Sequence, residues 1–188
     1  QVQEICDCAR LDSPPRLCKI STRLYFVALM LASQRLARVL GHLRPMSCAE
    51  AAESGIQGES ADIYSILAKQ HEHPQGPWRA MVAAVRASLP SGAGSLLDLA
   101  TGPGEPATMI AKEFPSLAVT ATDVSQDMLE KAKASGAGLP NMHFTLVDMQ
   151  DLSCFLDGSF DLVTCCYGYM FPADRLVALR ETYRVMKP

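Results

Sequence analysis

Three acids and a glycine turn in the second half of this chain are spaced as a nucleoside-holding site requires. In Thr101-Gly102-Pro103-Gly104, glycine lets the backbone approach a ligand with no side chain between, and a following helix would present its amino-terminal amides. The run Gly102-Pro103-Gly104-Glu105-Pro106-Ala107 also satisfies the G-x-G-x-x-G/A nucleotide pattern. Asp123 follows by roughly 20 residues, where a carboxylate can accept two hydrogen bonds from a ribose diol. Asp98 precedes Gly102 within an otherwise apolar run, and burying an acid there is costly unless something pairs with it. Asp148 can accept from an adenine amino group while Met149 packs on the ring. Each feature has an ordinary alternative: a tight strand-to-helix turn for the glycines, a helix cap for Asp123, a solvated strand end for Asp148. Dinucleotide dehydrogenases share the turn and the ribose acid, but they usually place an apolar residue at the position of Asp98. An acid there suits a ligand with a cationic amino-acid end.

These residues need strands that end beside one another. Ser95–Ala100, Leu117–Thr122, Met142–Val147 and Phe160–Cys166 read as short, mostly apolar strands. Between and after them, helices are expected over Glu105–Phe114, from a Ser125 cap to Ala134, and from Asp174 to about Val185. This alternation predicts an α/β, doubly wound parallel sheet, whose ligands bind beyond the carboxyl ends of the strands. Upstream, Ser47-Cys48-Ala49-Glu50 has capping-box form and opens a short helix. A second helix is expected over Ala61–Gln70, then a polar break from His71 to Gly76, then a third helix from Pro77 to about Leu89.

The chain has 188 residues, 48% of them hydrophobic, enough for one substantial core with an appendage. A formal charge of −3 gives no basic footprint for general nucleic-acid binding. The charge is uneven: Ser13 to Ala49 holds six basic residues and no acid, whereas the stretch from Ala51 onward holds ten basic and sixteen acidic ones. A boundary near Ser47 follows, dividing a basic segment 1–46 from helices in 47–92 and a core in 93–188. Tyr25, Leu29, Ala32, Leu36, Leu40 and Leu43 recur at helical spacing, although the acid-free, Arg-rich composition also imitates a leader peptide. The longest apolar run, Leu24 to Ala32, is far short of the ~20 residues of a membrane span. Seven cysteines without a CxxC pair argue against a disulfide framework and for a reducing compartment, cytoplasmic or organellar. Cys6-Asp7-Cys8 completes no zinc spacing, and no metal is expected.

Taken in order, the motifs resemble those of class I S-adenosylmethionine (AdoMet)-dependent methyltransferases. Leu97-Asp98-Leu99-Ala100-Thr101-Gly102-Pro103-Gly104 is similar to their first motif, and Asp123-Val124-Ser125-Gln126-Asp127-Met128-Leu129 to their second. Phe160-Asp161-Leu162-Val163-Thr164 resembles the strand-four motif, and the match extends over about Ala61 to Pro188. It is closest to the ubiquinone and menaquinone biosynthesis methyltransferases, and implies a Rossmann-like fold, AdoMet as cofactor and a small-molecule acceptor, quinone-like or lipid-like. By the same resemblance, Asp98, Thr101 and the backbone at Ala100, Gly102 and Gly104 would hold the methionine end. Asp123 would take the ribose, Val124 or Met128 would lie against adenine, Asp148 and Met149 would line the adenine pocket, and Cys165 would approach the methionine moiety. Tyr64 sits where related enzymes carry a lid helix.

The sulfonium of AdoMet is already activated, so neither a nucleophile nor a metal is required, and no general base stands out. Cys165 and Cys166 read as buried small hydrophobes, His143 as a core or sheet-face residue, and Tyr167 and Tyr169 as acceptor-side candidates. The complete family fold has seven strands in the order 3-2-1-4-5-7-6, and signals for four are present. A fragment of a longer protein is therefore expected, with weak or conditional AdoMet binding. An NAD-dependent oxidoreductase and a non-catalytic AdoMet-binding protein are the competing readings.

Overall fold

The computed structural model describes residues 56–188; the expected amphipathic helix through Tyr25 and Leu43 and the capping box at Ser47 lie outside the described residues. Two helices come first, α1 (Gly58–Ala68) and α2 (Pro77–Ser88). In α2, Pro77 fills the first turn and Trp78, Met81, Val82 and Val85 recur at helical spacing, giving one buried face. Strands and helices then alternate: β1 (Gly94–Leu99), α3 (Ala107–Glu113), β2 (Leu117–Asp123), α4 (Gln126–Ser135), β3 (Met142–Leu146), β4 (Leu162–Cys165) and α5 (Arg175–Val185).

The strands form one parallel sheet in the order β3-β2-β1-β4. The order reverses between β1 and β4, so the loops following these two strands leave in opposite directions and a crevice opens between them at the carboxyl ends of the sheet. Alternation along β1 sends Leu97 and Leu99 to one face, where they pack with Val163 and Cys165 of β4 and with Ala178 and Val185 of α5. Leu96 and Asp98 point to the opposite face, equally buried. Ser125 caps α4 as its position in the sequence predicts, accepting from the Met128 amide at 3.2 Å; Asp174 likewise caps α5.

Three elements differ from expectation, each for a local reason. β4 begins at Leu162: the Asp161 amide still donates to the Ser95 carbonyl at 2.9 Å, but Ser95 N and Oγ turn to the Asp161 carboxylate, both at 2.9 Å, rather than to strand backbone. Its other oxygen meets Lys187 at 2.8 Å, and this bond holds the acid down at about pKa 2. Phe160 is left to make a single parallel bridge with Met186. Helix α3 starts two residues late because Glu105 stays outside and its carboxylate accepts from Met109 N at 3.0 Å. Helix α1 runs Gly58–Ala68 rather than Ala61–Gln70, and a 3-10 turn, Lys69–Glu72, carries its end into the expected polar break, where the His71 ring packs on Tyr167 (centroids 5.2 Å) and edge-on to Trp78 (5.8 Å).

Candidate functional site

A cleft of about 300 Å³ opens at the carboxyl ends of all four strands. Seven of the eleven expected cofactor-site residues line it, Ala100, Gly102, Asp123, Val124, Met128, Asp148 and Met149, together with Tyr64 and Cys166. Asp98, Thr101, Gly104 and Cys165 lie outside the lining. The backbone at its floor is unusual. Ala100 (φ 51°) and Tyr167 (φ 65°) are both left-handed without being glycine, at the ends of β1 and β4.

The two glycines of the turn have different tasks. Gly102 (φ 57°) faces the cleft, and a Cβ on it would stand 3.7 Å from Tyr64 Cε1. Gly104 (φ 111°) faces α4 instead: a Cβ there would lie 3.1 Å from Ala132 Cα, so this glycine lets the loop pack on the helix. Both amides are already engaged. Gly102 N donates to Asp123 Oδ2 at 2.8 Å, and Gly104 N donates to the Thr101 carbonyl at 3.1 Å. Turn closure and the Asp123 carboxylate thus take these two amide donors, while Gly102, with no side chain, remains part of the cleft wall.

Asp123 joins the two strand-end loops. Its other oxygen accepts from Ser125 N at 2.9 Å, so Asp123 steadies the turn before α4 while Ser125 itself caps that helix. Each carboxylate oxygen retains capacity for a second donor, and both belong to a residue of the cleft wall. Burial raises its pKa against the opposing amides of Ser125, Gly102 and Val124.

Asp98 is 1% exposed. Its Oδ1 accepts from Thr164 Oγ1 at 2.6 Å, while Oδ2 has no hydrogen-bond partner, and neither does the buried Thr101 hydroxyl. Burial drives the acid up to about pKa 6, with the hydroxyls of Thr164 and Thr101 pulling the other way and Asp123 and Glu105 adding repulsion. Thr101 acts here through proximity, since no well-formed hydrogen bond joins it to Asp98. A buried carboxylate with an open oxygen lacks a cation.

Around this floor the walls are largely apolar. Asp148 accepts from Gln150 N at 2.8 Å, and Gln150, also in the lining, accepts from Asp174 N at the start of α5. Cys165 turns into the core under α5, and the wall position passes to Cys166 by strand alternation. Burial and the charge of Asp98 push the Cys166 thiol up to about 12, so it stays protonated at neutral pH and is a poor nucleophile. Tyr169 packs against the core, its hydroxyl 2.6 Å from Thr182 Oγ1 of α5, which removes it from the acceptor side. His143 lies in β3 with an exposed side chain. Ile56, Phe171 and Pro172 line the cleft without any sequence signal, because loop and rim positions carry no periodicity. Among the described residues no group of three His, Cys, Asp or Glu side chains is placed to hold a metal, no helix is long and apolar enough to cross a membrane, and Cys154, Cys165 and Cys166 are free thiols.

A methyltransferase-domain family model matches residues 96–188. Over 111 residues the chain is 40% identical to the ubiquinone/menaquinone biosynthesis C-methyltransferase UbiE of Desulfotalea psychrophila, covering 59% of this chain and 44% of that protein. It is 39% identical over 92 residues to the demethylmenaquinone methyltransferase of Thermotoga maritima, covering 49% of this chain and 38% of that one. The chain thus spans under half the length of these relatives. Among solved structures, an assigned AdoMet-dependent methyltransferase from Methanococcus maripaludis shares the fold at TM-score 0.62 and 23% identity, covering 71% of this chain and 61% of that one. A Haemonchus contortus phosphoethanolamine N-methyltransferase, solved with phosphomonomethylethanolamine and S-adenosylhomocysteine, aligns at TM-score 0.52 and 26% identity, over 60% of this chain and 27% of that one. Through its methyltransferase domain, residues 96–188, the chain belongs to the class I AdoMet-dependent methyltransferases.

Proposed function

We propose that the cleft binds AdoMet and that the protein methylates a small, apolar acceptor of quinone-like or lipid-like character. The unpartnered Oδ2 of buried Asp98 carries the cofactor reading, because it offers a fixed negative charge for the cationic amino-acid end of the ligand. Asp123 would accept from the ribose hydroxyls with the lone pairs it retains. Val124 and Met128 would lie against one side of adenine and Met149 against another, with Asp148 accepting from the exocyclic amine. Bound AdoMet supplies an electrophilic methyl group on a sulfonium; the chain's own task is to orient the acceptor and exclude water. Cys166, Tyr64 and Phe171 line the cleft and are its acceptor-side candidates.

The acceptor class is supported by the similarity to quinone-pathway methyltransferases, by the apolar walls, and by Phe171, half exposed at the rim. Calorimetry with AdoMet and with NAD tests the cofactor reading. The expected outcome is heat with AdoMet only, lost in Asp98→Ala; a folded chain that gives no heat with AdoMet overturns it. Radiolabelled methyl transfer to a panel of quinol precursors tests the acceptor, and transfer confined to polar amines would refute that part.

A further inference from the structure

Helix α1 covers the cleft but has little apolar burial to hold it there. Tyr64 lines the cleft, yet Ile63, Ile66 and Leu67 are 54%, 68% and 54% exposed, and the fully buried side chains of α1 are two alanines. The bonds that fasten α1 and the chain just before it are polar and come from Ser125, the cap of α4, and from the first two turns of that helix. Gly58 N donates to Asp127 Oδ2 at 2.5 Å, Lys131 Nζ pairs with Asp62 Oδ1 at 2.5 Å, and Ser125 Oγ donates to the Ile56 carbonyl at 2.7 Å while accepting from Met128 N. The first amide of α1, Gly58 N, is thus satisfied from another element, by Asp127.

We propose that Asp127 is a positioning residue for the cofactor: it caps α1 across the cleft and so holds Tyr64 over Gly102 and beside Asp123. This rests on the reading of the cleft as the AdoMet site. The coupling is built into one rigid turn, because Met128 lines the cleft on its inner side while Asp127 grips α1 on its outer side. A ligand packed on Met128 lies under α1, and leaves when α1 lifts. Loss of the cap therefore speeds departure of the ligand more than it slows arrival.

Stopped-flow binding of S-adenosylhomocysteine to the full chain tests this. Asp127→Ala raises the dissociation rate about five- to tenfold, the size of one lost helix cap, with the association rate nearly unchanged. Asp127→Asn keeps the accepting oxygen and stays near the wild-type rate, although it removes the same charge from the first turn of α4. A role confined to the stability of α4 would make the two variants alike, and that result overturns the proposal. So does an Asp127→Ala rate equal to wild type in a chain that binds. As an independent arm, Asp62→Lys and Lys131→Asp each weaken binding, and the double exchange recovers it; no recovery counts against the latch. Absence of binding by the folded wild-type chain refutes the cofactor reading itself, and is told apart from failure of the latch because it precedes any variant.

Discussion

Asp98 binds its proton more tightly in the folded protein than in the unfolded chain, since burial raises its pKa from 3.8 to about 6. Below pH ~4 both states are protonated and the group is neutral in its effect. As pH rises from about 4 to about 6 the unfolded chain gives up the proton first, so stability falls across that window and remains lower above it. Asp98→Asn removes this penalty: its amide oxygen can still accept from Thr164, and its NH2 faces the unpartnered Thr101 hydroxyl. The variant is expected to melt higher than wild type at pH 7.5, by at most ~2–3 kcal/mol in stability, with the difference vanishing near pH 4. A melting curve at the two pH values checks this. The same group gives ligand binding a pH profile: a cationic ligand favours the ionised acid, so AdoMet affinity rises with pH up to about 6 and then levels off. Calorimetry between pH 5 and 8 reads that slope. That an acid lies buried in β1 was legible in the sequence, because Asp98 stands among leucines in an otherwise apolar strand. The division of labour between Gly102 and Gly104 was not, because two glycines look alike until their neighbours are known.

At the scale of elements, the sheet and its helices followed from apolar periodicity, and Ser125 from its place before α4. The connections that set their relative positions did not, since they join residues far apart in the chain. Asn141 is an example: its side-chain NH2 reaches the carbonyls of Ala111, Phe114 and Leu117 at 3.0, 3.2 and 3.0 Å, tying the end of α3 to the starts of β2 and β3. Asn141→Ala leaves those half-buried carbonyls without this donor and should cost about 1–3 kcal/mol, measured by denaturant melts. Cofactor affinity should be unchanged, because Asn141 lies at the end of the sheet away from the cleft. The packing of His71 on Tyr167 was equally hidden, as nothing local in His71-Glu72-His73 points to a partner at the end of β4. The shortening of β4 by Asp161 belongs to the same class, a side chain standing in for a strand's backbone.

Across the molecule, the parallel sheet brings the ends of all four strands to one crevice and lets α5 bury the face opposite Asp98. The polar groups left open, Asp98 Oδ2 and Thr101 Oγ1, adjoin the turn at the floor of that crevice, as do the left-handed Ala100 and, across it, Tyr167. Each of those two backbone conformations costs a non-glycine residue roughly 1 kcal/mol. Ala100→Gly is accordingly expected to hold or raise the melting temperature while loosening AdoMet binding, a pairing that thermal melts and calorimetry on the same sample can check; at Tyr167 the same relief is offset by the loss of the ring packed on His71. Directed evolution for heat resistance alone would therefore favour glycine at 100 and asparagine at 98. It would yield robust proteins that had discarded the crevice, so any such campaign has to screen for ligand at every round.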